Sequence, residues 1–365
     1  MRRVNDLIHK LSHSVPFGRW GIPFLIFLTA FVPRVIYPVS RPRQWFTRSL
    51  EFVDAILDLD PTGTFLRYHP GVSLMWLSGP AEKLAALLTS EVSLDQIYGE
   101  VPVTPGVLNT LTWAGVLPLV LVISLCTALT FPLISRLAGR RIALVSGLFL
   151  ALSPYLLTYS RVIHVDALLA MFMIVSALFL LNYLKESTIH NLLLSGLFAG
   201  FAFLSKSPAL FLIPYSGLVV TVAATGRIAE LRAEHAKISW SREAGRVVGI
   251  LLVWLGIGIV TYVALFPAMW VIPGRILADL YQSIFQHVSS PHKNLVYFAD
   301  RIWSEADPGT PFYLAVIGWK TTAITLSMIV VALVIGVRRF RKPGTRFLWA
   351  MVAYAVFFTL QMGIG

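Results

Sequence analysis

Ser160-Arg161-Val162-Ile163-His164-Val165-Asp166 sets an arginine, a histidine and a carboxylate between two long apolar runs, Leu144 to Leu157 before it and Ala167 to Leu184 after it. The runs read as helices at membrane depth, and the polar stretch as the turn where the chain leaves one and enters the next. An ionisable side chain at the centre of a bilayer costs roughly 2.5–3.5 kcal/mol on insertion scales. Such groups therefore collect at an interface or in a polar cavity, where they hold a ligand or do chemistry. The plainer reading is an Arg161–Asp166 pair that caps a helix end.

The composition decides the class. Hydrophobic residues make up 56% of the 365 and charged residues 13%, with a mean hydropathy of +0.74. A soluble domain of this length cannot bury that much apolar surface, so the chain reads as an all-α integral membrane protein, a polytopic bundle. The formal charge of +12 does not point to nucleic acid, because most of the charges fall in short loops between apolar runs. Cys126 is the single cysteine and lies in an apolar run, which excludes a disulfide framework and a cysteine metal site. Gly21 to Tyr37 is long and lacks a small-residue cleavage site, so it reads as a retained span rather than a signal peptide.

Loop charge then sets the topology. Met1 to Arg19, with Arg2, Arg3, Lys10 and Arg19, is expected to be cytoplasmic. The first span is Gly21 to Pro38, with Arg34 snorkelling to the interface near its far end. Residues 39–107 form a long external loop. In it, Ser49 to Asp60 reads as an amphipathic helix with Glu51, Asp54 and Asp58 on one face and Phe52, Val53, Ile56 and Leu57 on the other. Val72 to Leu88 is apolar, but if it crossed, the basic loops Arg136–Arg141 and Arg227–Arg246 would both lie outside. It is therefore read as a second interfacial helix. Eight further spans are expected over Leu108–Ser135, Ile142–Thr158, Val165–Leu184, Leu192–Leu204, Ala209–Thr225, Val247–Ile272, Phe312–Val337 and Phe347–Gly365. That makes about nine in a single transmembrane domain, residues 1–365. A second external loop, residues 273–311, holds another amphipathic helix from Ile276 to Val288. The ninth run ends with no polar tail, so the sequence is expected to be part of a longer protein.

This topology gathers Glu51, Asp54, Asp58, Arg67, Tyr68, His69, Arg161, His164, Asp166, Lys206 and His292 on the external side. Arginine and lysine clamp phosphate oxygens, a carboxylate can take a proton from an attacking hydroxyl, and amphipathic helices offer a groove for a lipid chain. That is the inventory for an anionic, lipid-linked substrate. His69, His164 and His292 are scattered without metal-ligand spacing, and no metal or other cofactor is expected.

Three stretches give the chain a resemblance to membrane glycosyltransferases of the GT-C fold, among the protein O-mannosyltransferase and aminoarabinose-transferase relatives. Ser160–Asp166 resembles the Ser-Arg…Asp stretch at the mouth of those enzymes. Tyr68-His69-Pro70-Gly71 resembles their His-Pro-Pro or Lys-Pro-Pro element, and Gly196…Gly200…Lys206 their Gly…Gly…Lys helix. The resemblance implies a polyprenyl-phosphate sugar donor, a protein, lipid or glycan acceptor, and inversion at the anomeric carbon. Arg161, Lys206, His69 and Arg67 would then stabilise the leaving phosphate, with Tyr68, His164 and His292 nearby. The family usually places its catalytic aspartate just after the first span, where this chain has Trp45. Asp54, Glu51 or Asp166 is left to act as base. Asp54 is favoured because its acidic neighbours raise its basicity, and Asp166 is expected to hold Arg161 toward the phosphate. The rivals are a transporter or lipid flippase with Arg161 and Asp166 in its path, and a catalytically silent scaffold, which Trp45 keeps open.

The topology makes a direct prediction. An external thiol reagent should miss a cysteine at Ser239 and reach one at Ser290. The opposite labelling pattern would invert the whole arrangement.

Overall fold

The computed structural model describes residues 20–36, 38–39, 44–67, 70–89, 104–235, 238–289, 296–303, 310–339 and 345–364. It is an all-α membrane bundle with one small hairpin. The helices are α1 Gly21–Val35, α2 Gln44–Leu57, α3 Val72–Leu88, α4 Pro105–Ala138, α5 Arg140–Leu152, α6 Pro154–Ser160, α7 Val165–Glu186 and α8 Ile189–Ser205. They continue with α9 Leu212–Ala233, α10 Trp240–Leu265, α11 Pro273–Ser289, α12 Thr310–Lys320, α13 Ala323–Arg338 and α14 Arg346–Ile364.

Both loop helices form: α11 covers Ile276 to Val288, whereas α2 starts at Gln44, five residues before the expected Ser49, and ends at Leu57, so it carries Glu51 and Asp54 while Asp58 falls in the turn after it. The nine apolar runs are all helical, but length and composition single out fewer as spans. Four described helices are long and apolar enough to cross: Pro105–Ala138, Val165–Glu186, Ser207–Ala233 and Trp240–Leu265. There are up to six if each of two bent pairs is one span. Gly21–Val35, Ile189–Ser205 and Arg346–Gln361 are apolar but shorter. At 1.5 Å per residue, α1 reaches roughly 22 Å, less than the ~30 Å hydrocarbon core.

The bends explain why two expected runs are not single straight spans. Ile142–Thr158 breaks at Ser153, and α5 turns by 52° into α6. Pro154 opens α6, where its missing N–H costs nothing, while Ser153 is extended. Phe312–Val337 breaks after Lys320 with a bend of 118°. There Thr322 is extended and its Oγ1 accepts the Thr325 N–H at 3.3 Å, capping α13 as a new helix. The hairpin pairs β1 Val296–Phe298 with β2 Arg301–Trp303 through left-handed Ala299 and Asp300.

The chain divides into two compact units, Met1–Leu50 with Leu74–Leu178, and Glu51–Ser73 with Phe179–Gly365. In the first, α1 packs on α4 and α5. Gly147 of α5 admits Ile26 of α1, whose Cδ1 would lie 2.8 Å from any added Cβ. Gly139, at φ +91°, joins α4 to α5 in a conformation that glycine adopts without strain.

In the second unit, α8 packs closely on α10. A Cβ at Gly196 would meet the Trp254 carbonyl at 2.7 Å, and one at Gly200 would meet Thr261 Cβ at 2.5 Å and the Gly258 carbonyl at 2.8 Å. The two glycines, four residues apart, let the backbones touch, as small residues do between membrane helices. Trp254 Nε1 donates to Ser195 Oγ at 2.9 Å and fixes the register. Phe211, in the tight turn just before α9, and Tyr215 of α9 interlock with Tyr354 and Phe358 of α14. On α10, Leu252 and Val260 point outward, each 64% exposed, as side chains facing lipid do.

Gly200→Ala should therefore lower the thermal stability of the detergent-solubilised protein by about 1–3 kcal/mol through overpacking against backbone. Gly217→Ala, where an added Cβ meets nothing within 4 Å, should be neutral or stabilise by about 0.5–1 kcal/mol. Equal midpoints for the two variants would contradict the close α8–α10 contact.

Candidate functional site

The turn from Ser160 to Asp166 is built by the end of α6, three irregular residues and the start of α7. It is tied down from α1. Arg34 is fully buried, not snorkelling as its place near the helix end suggests. Its Nε donates to Ser160 Oγ at 2.8 Å, and its Nη1 to the Ala30 and Ala151 carbonyls at 2.7 and 2.8 Å. The physical reason is the break at Pro154. It leaves carbonyls at the end of α5 without helical partners, and a guanidinium with several donors is better satisfied there than in water beyond the membrane. Ser160 Oγ passes the contact on to the Leu157 carbonyl at 3.0 Å. The Arg161 carbonyl accepts the Val39 N–H at 2.8 Å, which pins the chain after α1 to the same turn.

His164 stands at the entrance of α7 and is half-buried. Its Nδ1 lies 3.3 Å from the Asp166 backbone N and 3.4 Å from Asp166 Oδ2. Around the imidazole are the rings of Trp45, edge-on at 6.1 Å, and Tyr159 at 6.4 Å, with Tyr155 tilted against Tyr159 at 4.7 Å. The Arg48 guanidinium lies over the Trp45 ring at 5.0 Å. The partner shown for Asp166 is thus His164. Arg161 is half-buried at the end of α6.

Beneath this turn lies a group that the sequence gives no reason to single out. Glu82 of α3 is fully buried, and neither carboxyl oxygen has a hydrogen-bond partner among the described residues. Gly115 of α4 makes the room: a Cβ there would collide with Glu82 Oε1 and with Ile163 Cδ1, inside the Arg161–Asp166 turn. Ser78, one turn earlier on α3, donates to the Gly115 carbonyl at 2.8 Å. Burial pushes the Glu82 pKa well above the usual carboxylate range, because the charged form loses its water.

The second unit holds the other expected residues. Lys206 follows α8 in extended backbone and is half-buried. The stretch before α3 lies against the same helix end. The Gly71 N–H donates to the Ser205 carbonyl at 3.1 Å, and Ser73 and Ser205 hydroxyls meet at 2.6 Å. Two of the expected motifs, at Tyr68–Gly71 and Gly196–Lys206, are thereby joined. Arg67 is exposed, while Tyr68, His69 and His292 lie outside the described residues. Glu51 and Asp54 are half-buried on α2, and Asp58 is exposed. Thr64 Oγ1 accepts the Ala268 N–H at 3.0 Å and anchors the same stretch on its other side. Among the described residues, no three His, Cys, Asp or Glu come together as a metal site.

A helical bundle with apolar helices of crossing length and an ionisable turn at their ends is a multi-pass integral membrane protein. Residues 106–240, a little over a third of the chain, match the family model of dolichyl-phosphate-mannose-protein mannosyltransferase, and this supports a GT-C membrane glycosyltransferase. The matched segment contains both the Ser160–Asp166 turn and the Gly196–Lys206 helix. No curated protein matches the chain.

Glu82 supplies a pH prediction. A carboxyl whose folded pKa is raised stabilises fully below its ordinary pKa of about 4.3, and that stability is lost as pH rises. Glu82→Gln keeps the shape without the charge. Its thermal midpoint should equal that of the parent near about pH 4 and exceed it increasingly toward about pH 8. A gap that stays constant with pH would show that Glu82 is not held neutral in the fold.

Proposed function

We propose that the protein transfers a sugar, hexose or pentose, from a polyprenyl-phosphate-linked donor to a hydroxyl of a protein, lipid or glycan acceptor. The single observation that carries this is the family match over residues 106–240, because it spans both basic residues that a phosphate leaving group calls for, Arg161 and Lys206. Positive-inside loop charge supports an orientation with the N-terminus cytoplasmic and these residues external. In this reading the shorter apolar helices also cross, for nine spans, and the membrane is the plasma membrane, the inner one in a bacterium.

The chemistry follows from charge. As the sugar leaves, negative charge grows on the lipid phosphate. Cations fixed in place before the reaction stabilise that charge without reorganising. Arg161 sits on a turn that Arg34 holds rigid, and Lys206 at a helix end that Gly71 and Ser73 brace. Arg67 and His69 complete the proposed set for the phosphate, with His164, Tyr68 and His292 as further residues of the site. The proton of the acceptor hydroxyl goes to a base, for which Asp54, Glu51 and Asp166 are the carboxylates at hand. No metal is required. A silent scaffold is the second reading, favoured by one observation: Trp45 stands where the resemblance calls for a carboxylate.

Donor titration tests the clamp. Arg161→Ala and Lys206→Ala should each weaken binding of a polyprenyl-phosphate sugar by about 1.5–3 kcal/mol, the worth of a charge-assisted contact. Lys206→Arg should restore little, since a planar fork does not replace a compact ammonium. Unchanged donor binding in both folded alanine variants would remove these residues from the phosphate site.

A further inference from the structure

The ends of four helices of the second unit meet in a rim of arginine that the reaction leaves unused. Arg227 of α9 reaches Glu243 of α10, Nε to Oε1 at 3.5 Å, and Arg346 of α14 reaches Glu230 of α9, Nη2 to Oε1 at 3.7 Å. The Thr345 hydroxyl donates to the Arg339 carbonyl at 3.1 Å, which brings the end of α13 to the same place. The Arg232 guanidinium lies over the Trp240 ring at 5.5 Å. These ion pairs do not neutralise the rim. Arg242 of α10, Arg338 at the end of α13 and Arg339 just after it are exposed and have no ion-pair partner among the described residues. With Arg246, seven arginines stand against three glutamates, Glu230, Glu234 and Glu243, which leaves a surplus of four positive charges. Like charges gathered so closely repel one another unless anions enter among them.

Helix length fixes what these arginines meet. The 26 residues of α10 reach about 39 Å at about 1.5 Å each, against a hydrocarbon core of about 30 Å. Its apolar run begins at Val247, so Trp240 to Arg246 stand in the headgroup layer, and α9 leaves its own apolar run at Arg227. A guanidinium at that depth faces lipid phosphate, with which it forms charge-assisted hydrogen bonds. Trp240 is exposed beside it, an amphipathic ring of the kind that settles at this level. We infer that the arginine rim of α9, α10, α13 and α14 is a docking surface for anionic phospholipid headgroups, whose phosphates bridge the helix ends. The leaflet supplies the missing anions, and each basic residue near it adds to the attraction. Such a bridge matters most for α13, on which Ile324, Val330 and Val337 are each at least 60% exposed and little protein holds the helix. The contact is the same in either orientation of the chain and does not depend on the transfer chemistry.

The test uses purified full-length protein in nanodiscs of phosphatidylcholine alone or of phosphatidylcholine with phosphatidylglycerol, and in detergent for titration with phosphatidylglycerol. Phosphatidylglycerol should bind the parent more tightly than phosphatidylcholine does, raise its thermal midpoint, and lose part of both effects in high salt. Arg242→Gln alone should weaken phosphatidylglycerol binding by about fivefold, and Arg242→Gln, Arg338→Gln and Arg339→Gln together by about 100-fold. The triple variant should keep the parent's midpoint in phosphatidylcholine, since these side chains are exposed, and gain nothing from phosphatidylglycerol. Arg275→Gln with Arg301→Gln removes exposed charge from α11 and the hairpin and should change the affinity by less than about twofold. Equal binding of the two lipids by the parent, or full phosphatidylglycerol affinity in the single and triple variants, would overturn the inference. So would an equal loss in the control pair, which would reduce the effect to net charge. Displacement of phosphatidylglycerol by a polyglutamate peptide at equal concentration would assign the rim to an acidic soluble partner and overturn it too.

Discussion

The first unit depends on one buried guanidinium. Arg34 joins its own helix at Ala30 to the broken end of α5 at Ala151 and to Ser160 at the mouth of the polar turn. Removing an arginine from water is costly, and the cost is offset only by acceptors that have no other donors. The Pro154 break supplies one. The remaining nitrogen, Nη2, has no hydrogen-bond partner among the described residues. The arrangement explains why a short first helix is held so firmly, and why the residues of the turn have fixed places. Rigid placement is what a charge-stabilising site needs, because a cation that must move into position gives back part of its effect.

Glycine does the corresponding work elsewhere. Gly115 admits Glu82 and Ile163, and Gly196 and Gly200 bring α8 onto α10 ahead of Lys206. In each case a missing side chain sets the height of the backbone beneath an ionisable segment. The glycines of the Gly…Gly…Lys stretch thus have a packing role of their own. Lys206 is positioned by that packing together with the brace from Gly71 and Ser73.

Much of this was legible in the sequence, and the reasons differ by element. Apolar runs and loop charge gave the helices and the membrane class, since both reflect burial in lipid. The pattern of α11 showed in its periodicity, and that of α2 did so in part, since the helix ends before Asp58. Arg34 was misread because its place at a helix end is equally consistent with snorkelling, and only its neighbours from α5 and α6 decide otherwise. Glu82 was invisible for the same reason: burial of one side of α3 depends on Gly115, far along the chain. The bend at Thr322 and the Ala299-Asp300 turn lack the glycine and asparagine that usually announce such features. The contact of His164 with Asp166 needed the local geometry, since spacing alone does not say which way the imidazole turns.

The central claim, transfer of a sugar rather than movement of a lipid, is tested most directly by following the label. Full-length protein in sealed liposomes is given a polyprenyl-phosphate donor labelled in the sugar, with a hydroxyl acceptor on the external side. The account predicts that label appears on the acceptor while unlabelled polyprenyl phosphate accumulates in equal amount. Label that remains on the lipid and only changes leaflet would contradict it.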